Sequence, residues 1–149
     1  MISSEGAQMY PEPIVGALVF DSQGSLLLVK SHKWRDLYGL PGGHVELGET
    51  MKDAVRREVE EETGLYVDQV RFLCFQEMVF DDTFWTKSHF VFFDFVCRSD
   101  ATDVSLNAEA EEYLWLPPEQ ALELTIDAYT RVAIEKYLEA ADDDVGEGV

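Results

Sequence analysis

The chain predicts an α/β sandwich, and three observations carry that expectation. Strand-like and helix-like stretches alternate in the order strand, strand, helix, hairpin, strand, helix, which suits helices packed on a sheet. With 149 residues, 46% of them hydrophobic, the chain can bury one substantial core. It contains no internal repeat and no linker-like stretch, so one domain accounts for its length. The expected limits are a flexible lead-in over residues 1–12, a single domain over 13–140 and a disordered acidic tail over 141–149.

The apolar run Ile14–Phe20, the turn Asp21-Ser22-Gln23-Gly24 and the run Ser25–Lys30 read as a β-hairpin. A basic segment follows, with Lys30, Lys33 and Arg35 inside six residues that also hold His32 and Trp34. Such a segment is ordinarily an exposed loop. It also leads straight into a glycine turn, where bases can face phosphates. Leu37–Leu40 adds a short strand before Pro41-Gly42-Gly43. Tyr66–Phe80 and Lys87–Arg98 read as a long hairpin whose first strand needs a bulge. Its tip carries Phe84 and Trp85 as exposed aromatics, able to cover a ligand or a partner subunit, and a homodimer is left open on that account. Phe90, Phe92, Phe93 and Phe95 read as core. After a polar loop over 99–112, Tyr113–Leu116 is a last strand, Glu119–Leu124 a small helix started by Pro117-Pro118, and Asp127–Ala140 an amphipathic helix burying Val132, Ala133, Tyr137 and Leu138.

The most informative element is the helix expected over 50–63. Thr50 is its N-cap, with Asp53 three residues on, and Gly64 can take the left-handed conformation that ends it. On a helical wheel, Glu58, Glu61 and Glu62 fall on the arc of Met51, Ala54, Val55 and Val59, whereas Glu60 falls outside, at about 100° per residue. A solvated acidic face explains Glu60 but not the other three. Carboxylates crowded on a half-buried face repel one another and lose hydration unless a cation compensates. Mg²⁺ or Mn²⁺, hard ions that take a few carboxylates plus phosphate oxygens, suit that role.

The spacing itself carries a resemblance. Gly43, five residues, Glu49, seven residues and then Arg57-Glu58-Val59-Glu60-Glu61-Glu62-Thr63-Gly64-Leu65 resembles the complete signature of the Nudix hydrolases. The resemblance implies a three-layer α/β/α sandwich around a mixed β-sheet. It also implies divalent-metal-dependent hydrolysis of a nucleoside diphosphate linked to another group. Under it, metal is held by Glu58, Glu61 and Glu62 with the Gly42 carbonyl, while Glu49 and Arg57 pair structurally beside Gly43 and Gly64. The loop Asn107–Trp115 resembles the family's acidic loop, making Glu109 an extra ligand or base, ahead of Glu112. The general base stays open among Glu58, Glu61 and Glu109. Lys33, Arg35 and Trp85 are the expected substrate contacts.

The C-terminal half resembles a nucleoside-triphosphatase, MutT-like branch. That implies a (deoxy)nucleoside triphosphate cleaved to the monophosphate and pyrophosphate. ADP-ribose or an NDP-sugar is the alternative substrate, and a non-catalytic nucleotide-binding module a remote one. The net charge of −19, from 30 acids and 11 bases, argues against a nucleic-acid polymer or an acidic membrane as partner. Two cysteines, Cys74 and Cys97, and the absence of a membrane-span pattern point to a reducing cytoplasmic compartment, while the resemblance implies a small nucleotide substrate.

Overall fold

The computed structural model describes residues 8–147, with side chains through Asp142. Strands β1 (Glu12–Phe20) and β2 (Leu26–Ser31) form the expected hairpin. Asp21 closes it, its Oδ1 accepting the backbone N–H groups of Gln23 and Ser25, both at 2.9 Å. The two strands pair only at this closed end, Phe20 opposite Leu26, and then diverge. The next segment fills the opening. β3 (Leu37–Gly39) pairs with Val29–Ser31 of β2, and β4 (Gly42–His44) pairs with Ile14–Gly16 of β1.

β4 is a strand where the sequence suggests a turn, because a glycine pair lets the backbone approach β1 closely. A Cβ on Gly42 would run into the Val15 carbonyl oxygen. β6 (His89–Arg98) lies parallel to β1 from Glu12↔Phe90 to Phe20↔Arg98, and β5 (Asp68–Val79) is antiparallel to β6. β5 has the expected bulges, with register shifts between Asp68 and Arg71 and between Phe72 and Cys74. β7 (Glu112–Leu116) takes the other edge of β2. The sheet is therefore mixed.

Alternation along β1 builds the layers. Val15, Ala17 and Val19 pack with Ala54, Val55 and Val59 of helix α1 (Met51–Thr63). Leu18 and Phe20 pack on the opposite face with Ala121 of α2 (Pro118–Ala121) and with Ala133 and Ile134 of α3 (Ala128–Glu147). This is the expected α/β/α sandwich. α1 begins and ends as its sequence suggests: Thr50 Oγ1 accepts the Asp53 N–H at 3.1 Å, and Gly64 sits at φ 74°.

Three details depart from expectation. Phe84 is buried, wedged edge-on between Trp34 and Phe90, so of the two expected aromatics only Trp85 is exposed at the hairpin tip. The basic loop folds back to supply Trp34, which gives Phe84 an apolar partner. Helix α3 continues to Glu147, through the acidic stretch read as a tail, because no Gly or Pro interrupts it before Gly146 and each further residue adds a backbone hydrogen bond. At the other end, residues 1–7 of the expected lead-in lie outside the described residues. Gln8 is anchored, exchanging hydrogen bonds with the backbone of His89.

Candidate active site

The site begins where β4 crosses the C-terminal half of α1. Glu62 is only 7% exposed, and its Oε2 accepts the Gly42 N–H at 2.7 Å. Burial, reinforced by the nearby Glu58 charge, pushes its carboxyl well above the ordinary range. One turn earlier, Glu58 lies against Gly43, whose missing Cβ leaves room for the carboxylate: a methyl there would sit 2.5 Å from it. Burial lifts Glu58 to about 7, against the opposing pull of Arg57. The two glycines thus serve different ends, one admitting a strand and the other a carboxylate.

Arg57 is the hub that keeps these acids in place. Its Nε and Nη2 grip both oxygens of Glu49 at 2.7 and 3.0 Å, and Nη2 also donates to the His44 carbonyl at 2.9 Å. Nη1 reaches Glu58 and Glu61, each at 3.0 Å. The guanidinium holds Glu49 below the usual carboxylate range. So Arg57 ties loop to helix, as the spacing suggests, and also restrains two helix carboxylates. Glu61 is more exposed than its arc implied, because it lies at the margin of the apolar stripe.

The loop after β6 brings in a fourth acid. The Ser105 and Asn107 N–H groups bond the last carbonyls of α1, those of Thr63 and Glu62, and the Glu111 N–H bonds the Lys30 carbonyl of β2. Suspended between these anchors, Glu109 pairs with Lys33 at 3.1 Å. Glu112 instead accepts the Tyr38 hydroxyl at 2.8 Å. Among the three bases, Lys33 faces the carboxylates and lies 6.0 Å from the Trp85 ring. Lys30 covers Tyr38, and Arg35 donates to the Asp82 carbonyl at the hairpin tip. The structure therefore gathers Glu58, Glu61, Glu62, Glu109 and Lys33 and leaves Arg35 to one side.

Sequence reasoning missed a neighbouring feature. Gly42 also lines a cleft walled by Trp34, Phe92 and Tyr129, with Leu40 and Ile14 beneath. Asp94 and Asp127 line the same cleft, both almost fully buried. Asp127 caps α3 through the Tyr129 and Thr130 N–H groups. Gln76 donates from Nε2 to Asp94 Oδ2 at 3.0 Å. The available signal was Asp94 itself, a lone acid among the phenylalanines of an otherwise apolar strand.

A model of the NUDIX domain matches residues 11–137, so the chain belongs to the Nudix family, and its similarity to named relatives and to MutT structures makes it a MutT-like Nudix hydrolase. It is 29% identical over 126 residues to the nucleoside triphosphatase NudI of Escherichia coli O81 (strain ED1a), covering 76% of this chain and 87% of that protein. The structure is similar to that of the MutT protein from Methanosarcina mazei Go1, with 26% identity, 91% and 99% of the two chains covered and a TM-score of 0.74. It shares its fold with the NUDIX domain of Shewanella oneidensis NrtR, solved with ADP ribose, at 21% identity, 90% of each chain and a TM-score of 0.75.

Hydrolases of this family generally use divalent metals, and the donors here fit one. They are all oxygens, and two of them are carboxyls that burial drives toward the neutral form, a tendency that a hard cation reverses. Among the described residues, no three such side chains converge on one point as they stand. Each has a protein partner instead: Arg57 for Glu58 and Glu61, Lys33 for Glu109, and the Gly42 N–H for Glu62. No helix among the described residues is long and apolar enough to cross a membrane.

Proposed function

We propose that this Nudix hydrolase converts a (deoxy)nucleoside triphosphate to the monophosphate and pyrophosphate with Mg²⁺ or Mn²⁺. One observation carries the reading: Gly42 borders both the carboxylate cluster and the aromatic cleft, so one small molecule can reach both. A base in the cleft leaves its phosphates over α1. Similarity to a nucleoside triphosphatase supports the triphosphate.

Glu58, Glu61 and Glu62 are the metal-holding carboxylates, with Glu109 as a further donor and the Gly42 carbonyl as a main-chain one. When bound, the metal neutralises phosphate charge and acidifies an attacking water. The residues divide the remaining work. Lys33, once released from Glu109, offers its ammonium to the phosphates, with Arg35 and Trp85 at the outer rim. Glu58, Glu61 or Glu109 takes the proton of the water, each being an acceptor beside the cluster. Arg57 positions Glu58 and Glu61, while Glu49, Gly43 and Gly64 shape the loop and helix. Trp34, Phe92 and Tyr129 hold the base and exclude water from that side.

The two buried free cysteines fit a reducing cytoplasm, and the net charge of −19 disfavours nucleic-acid and membrane partners. A panel of nucleoside triphosphates, ADP-ribose and NDP-sugars, assayed with Mg²⁺ and with Mn²⁺ for phosphate against pyrophosphate release, tests the proposal. The expected result is pyrophosphate from a triphosphate, at higher kcat/KM than for the others. A tenfold advantage for ADP-ribose or an NDP-sugar overturns the substrate assignment. No turnover on the whole panel leaves a nucleotide-binding module.

A further inference from the structure

The carboxylate of Asp94 has no part in the chemistry above, yet it is 4% exposed and lines the cleft. Its hydrogen bonds fall on Oδ2, from Gln76 Nε2 at 3.0 Å and Cys74 Sγ at 3.6 Å, and among the described residues Oδ1 receives none. Oδ1 lies on the side of Gly16, another cleft residue, where a Cβ would come within 2.7 Å of it. Glycine at that position keeps the oxygen uncovered.

The side-chain donors around the two aspartates are already committed. Gln76 Nε2 also donates to the Tyr129 carbonyl at 2.9 Å, the Thr130 hydroxyl to Asp127 Oδ2 at 2.7 Å, and the Tyr129 hydroxyl to Asp81 at 2.8 Å. What this end of the cleft offers a ring is therefore oxygen: Asp94 Oδ1 first, with the Asp127 carboxylate also in the lining. An acceptor floor needs a donor edge. A ring carbonyl turned toward it meets a carboxylate with no hydrogen between them, and a buried acceptor left without a donor is costly.

Resting on the reading that the cleft takes the base, we propose that Asp94 is the specificity-determining residue. It selects a base edge of adjacent N–H donors, the ring N–H and 2-amino group of guanine, over the carbonyl-flanked N–H of uracil or thymine. Cytosine and adenine, with one amino group beside a ring acceptor, fall between. The aromatic walls contribute affinity to any base, since every base has an apolar face. Asp94 contributes the choice.

The test compares wild type with Asp94→Asn at pH 8, where the carboxylate is ionised. Asparagine is isosteric, and with its carbonyl kept on Gln76 it turns an amide N–H₂ toward the cleft. Wild type should favour GTP and dGTP over UTP and dTTP by at least about tenfold in kcat/KM, chiefly through KM. In Asp94→Asn that ratio should collapse or reverse. Asp94→Ser, smaller and uncharged, should level it as well and serves if the asparagine variant misfolds. Calorimetric titration with GMP and UMP gives the same comparison without hydrolysis. GMP binding over UMP in an Asp94-dependent way, with no triphosphate turned over, sinks the hydrolysis reading and keeps this one. Turnover of triphosphates with no guanine preference, or with a ranking indifferent to Asp94, overturns this proposal and leaves the reaction standing.

Discussion

Glu62 shows most directly how the proposed function and stability conflict at single residues. It is buried at the C-terminal end of a helix, where the dipole is already negative, next to Glu58 and near Glu109. Glu62→Gln and Glu58→Gln should each reduce kcat by at least about a hundredfold while preserving or raising the melting temperature without metal. Glu60→Gln, on the exposed arc, should be nearly silent, and an equal loss there would break the link between burial and role. Arg57→Ala should cost about 2–3 kcal/mol in chemical denaturation, because it leaves Glu49 and Glu58 without their shared cation. Asp94 gives a pH test. Burial lifts its carboxyl to about 6, against an ordinary value near 4 when unfolded, so the proton is held longer by the folded chain. The stability contributed by that proton is complete below pH 4 and is lost as pH rises through 6. Asp94→Asn should therefore stabilise the fold by about 2–3 kcal/mol at pH 8 and by little at pH 4, as read from thermal unfolding.

At the scale of elements, α1 and the Gly42–Gly43 strand share one design problem, and the glycines separate its parts. Gly42→Ala should impair folding, since the added carbon meets the backbone of β1. Gly43→Ala should fold but lose most activity, since its carbon meets only the movable Glu58 carboxylate. Comparable melting temperatures for the two variants would contradict this division. The caps, the period and the inward placing of Glu58 and Glu62 on α1 were legible in sequence because each is a local property of a few neighbouring residues, whereas Glu61 at the margin of the stripe is more exposed than the wheel suggests. The short β4 was not, because two glycines in a row read as a turn until a second strand lies beside them. The burial of Phe84 was hidden for a similar reason: its partner Trp34 comes from a loop fifty residues earlier. The acceptor cleft needed five separate segments to assemble, and no spacing rule spans those.

For the whole molecule, the charge of −19 is the dominant long-range term. Self-repulsion should make the melting temperature rise with NaCl between about 10 and 300 mM. Mg²⁺ should add a further, saturable increase, larger at pH 8 than at pH 6, because below 7 the ion must displace the Glu58 proton. An increase indifferent to pH, or one abolished equally by any salt, would mean the ion acts only as counter-charge. The overall α/β/α class was readable because strand-like and helix-like runs follow one another in a recognisable order and one helix carries its own boundaries. How the hairpin splays to admit a wedge was not, because divergence after one residue pair leaves no mark on composition.

The loop that carries Glu109 hangs from α1 and β2 by main-chain bonds at Ser105, Asn107 and Glu111. Bonds of that kind do not depend on which side chains the loop bears. Apart from Asn107, whose Oδ1 accepts the Glu109 N–H at 2.9 Å, its path over the helix end thus owes little to its own lettering, like a cassette seated by its frame. An acid, a base or a neutral residue at position 109 would occupy the same place beside the α1 carboxylates. If Glu109 has the role proposed for it, one codon change there can alter proton handling while the scaffold stays as it is, which makes this a site where the chain can explore new chemistry at little structural risk.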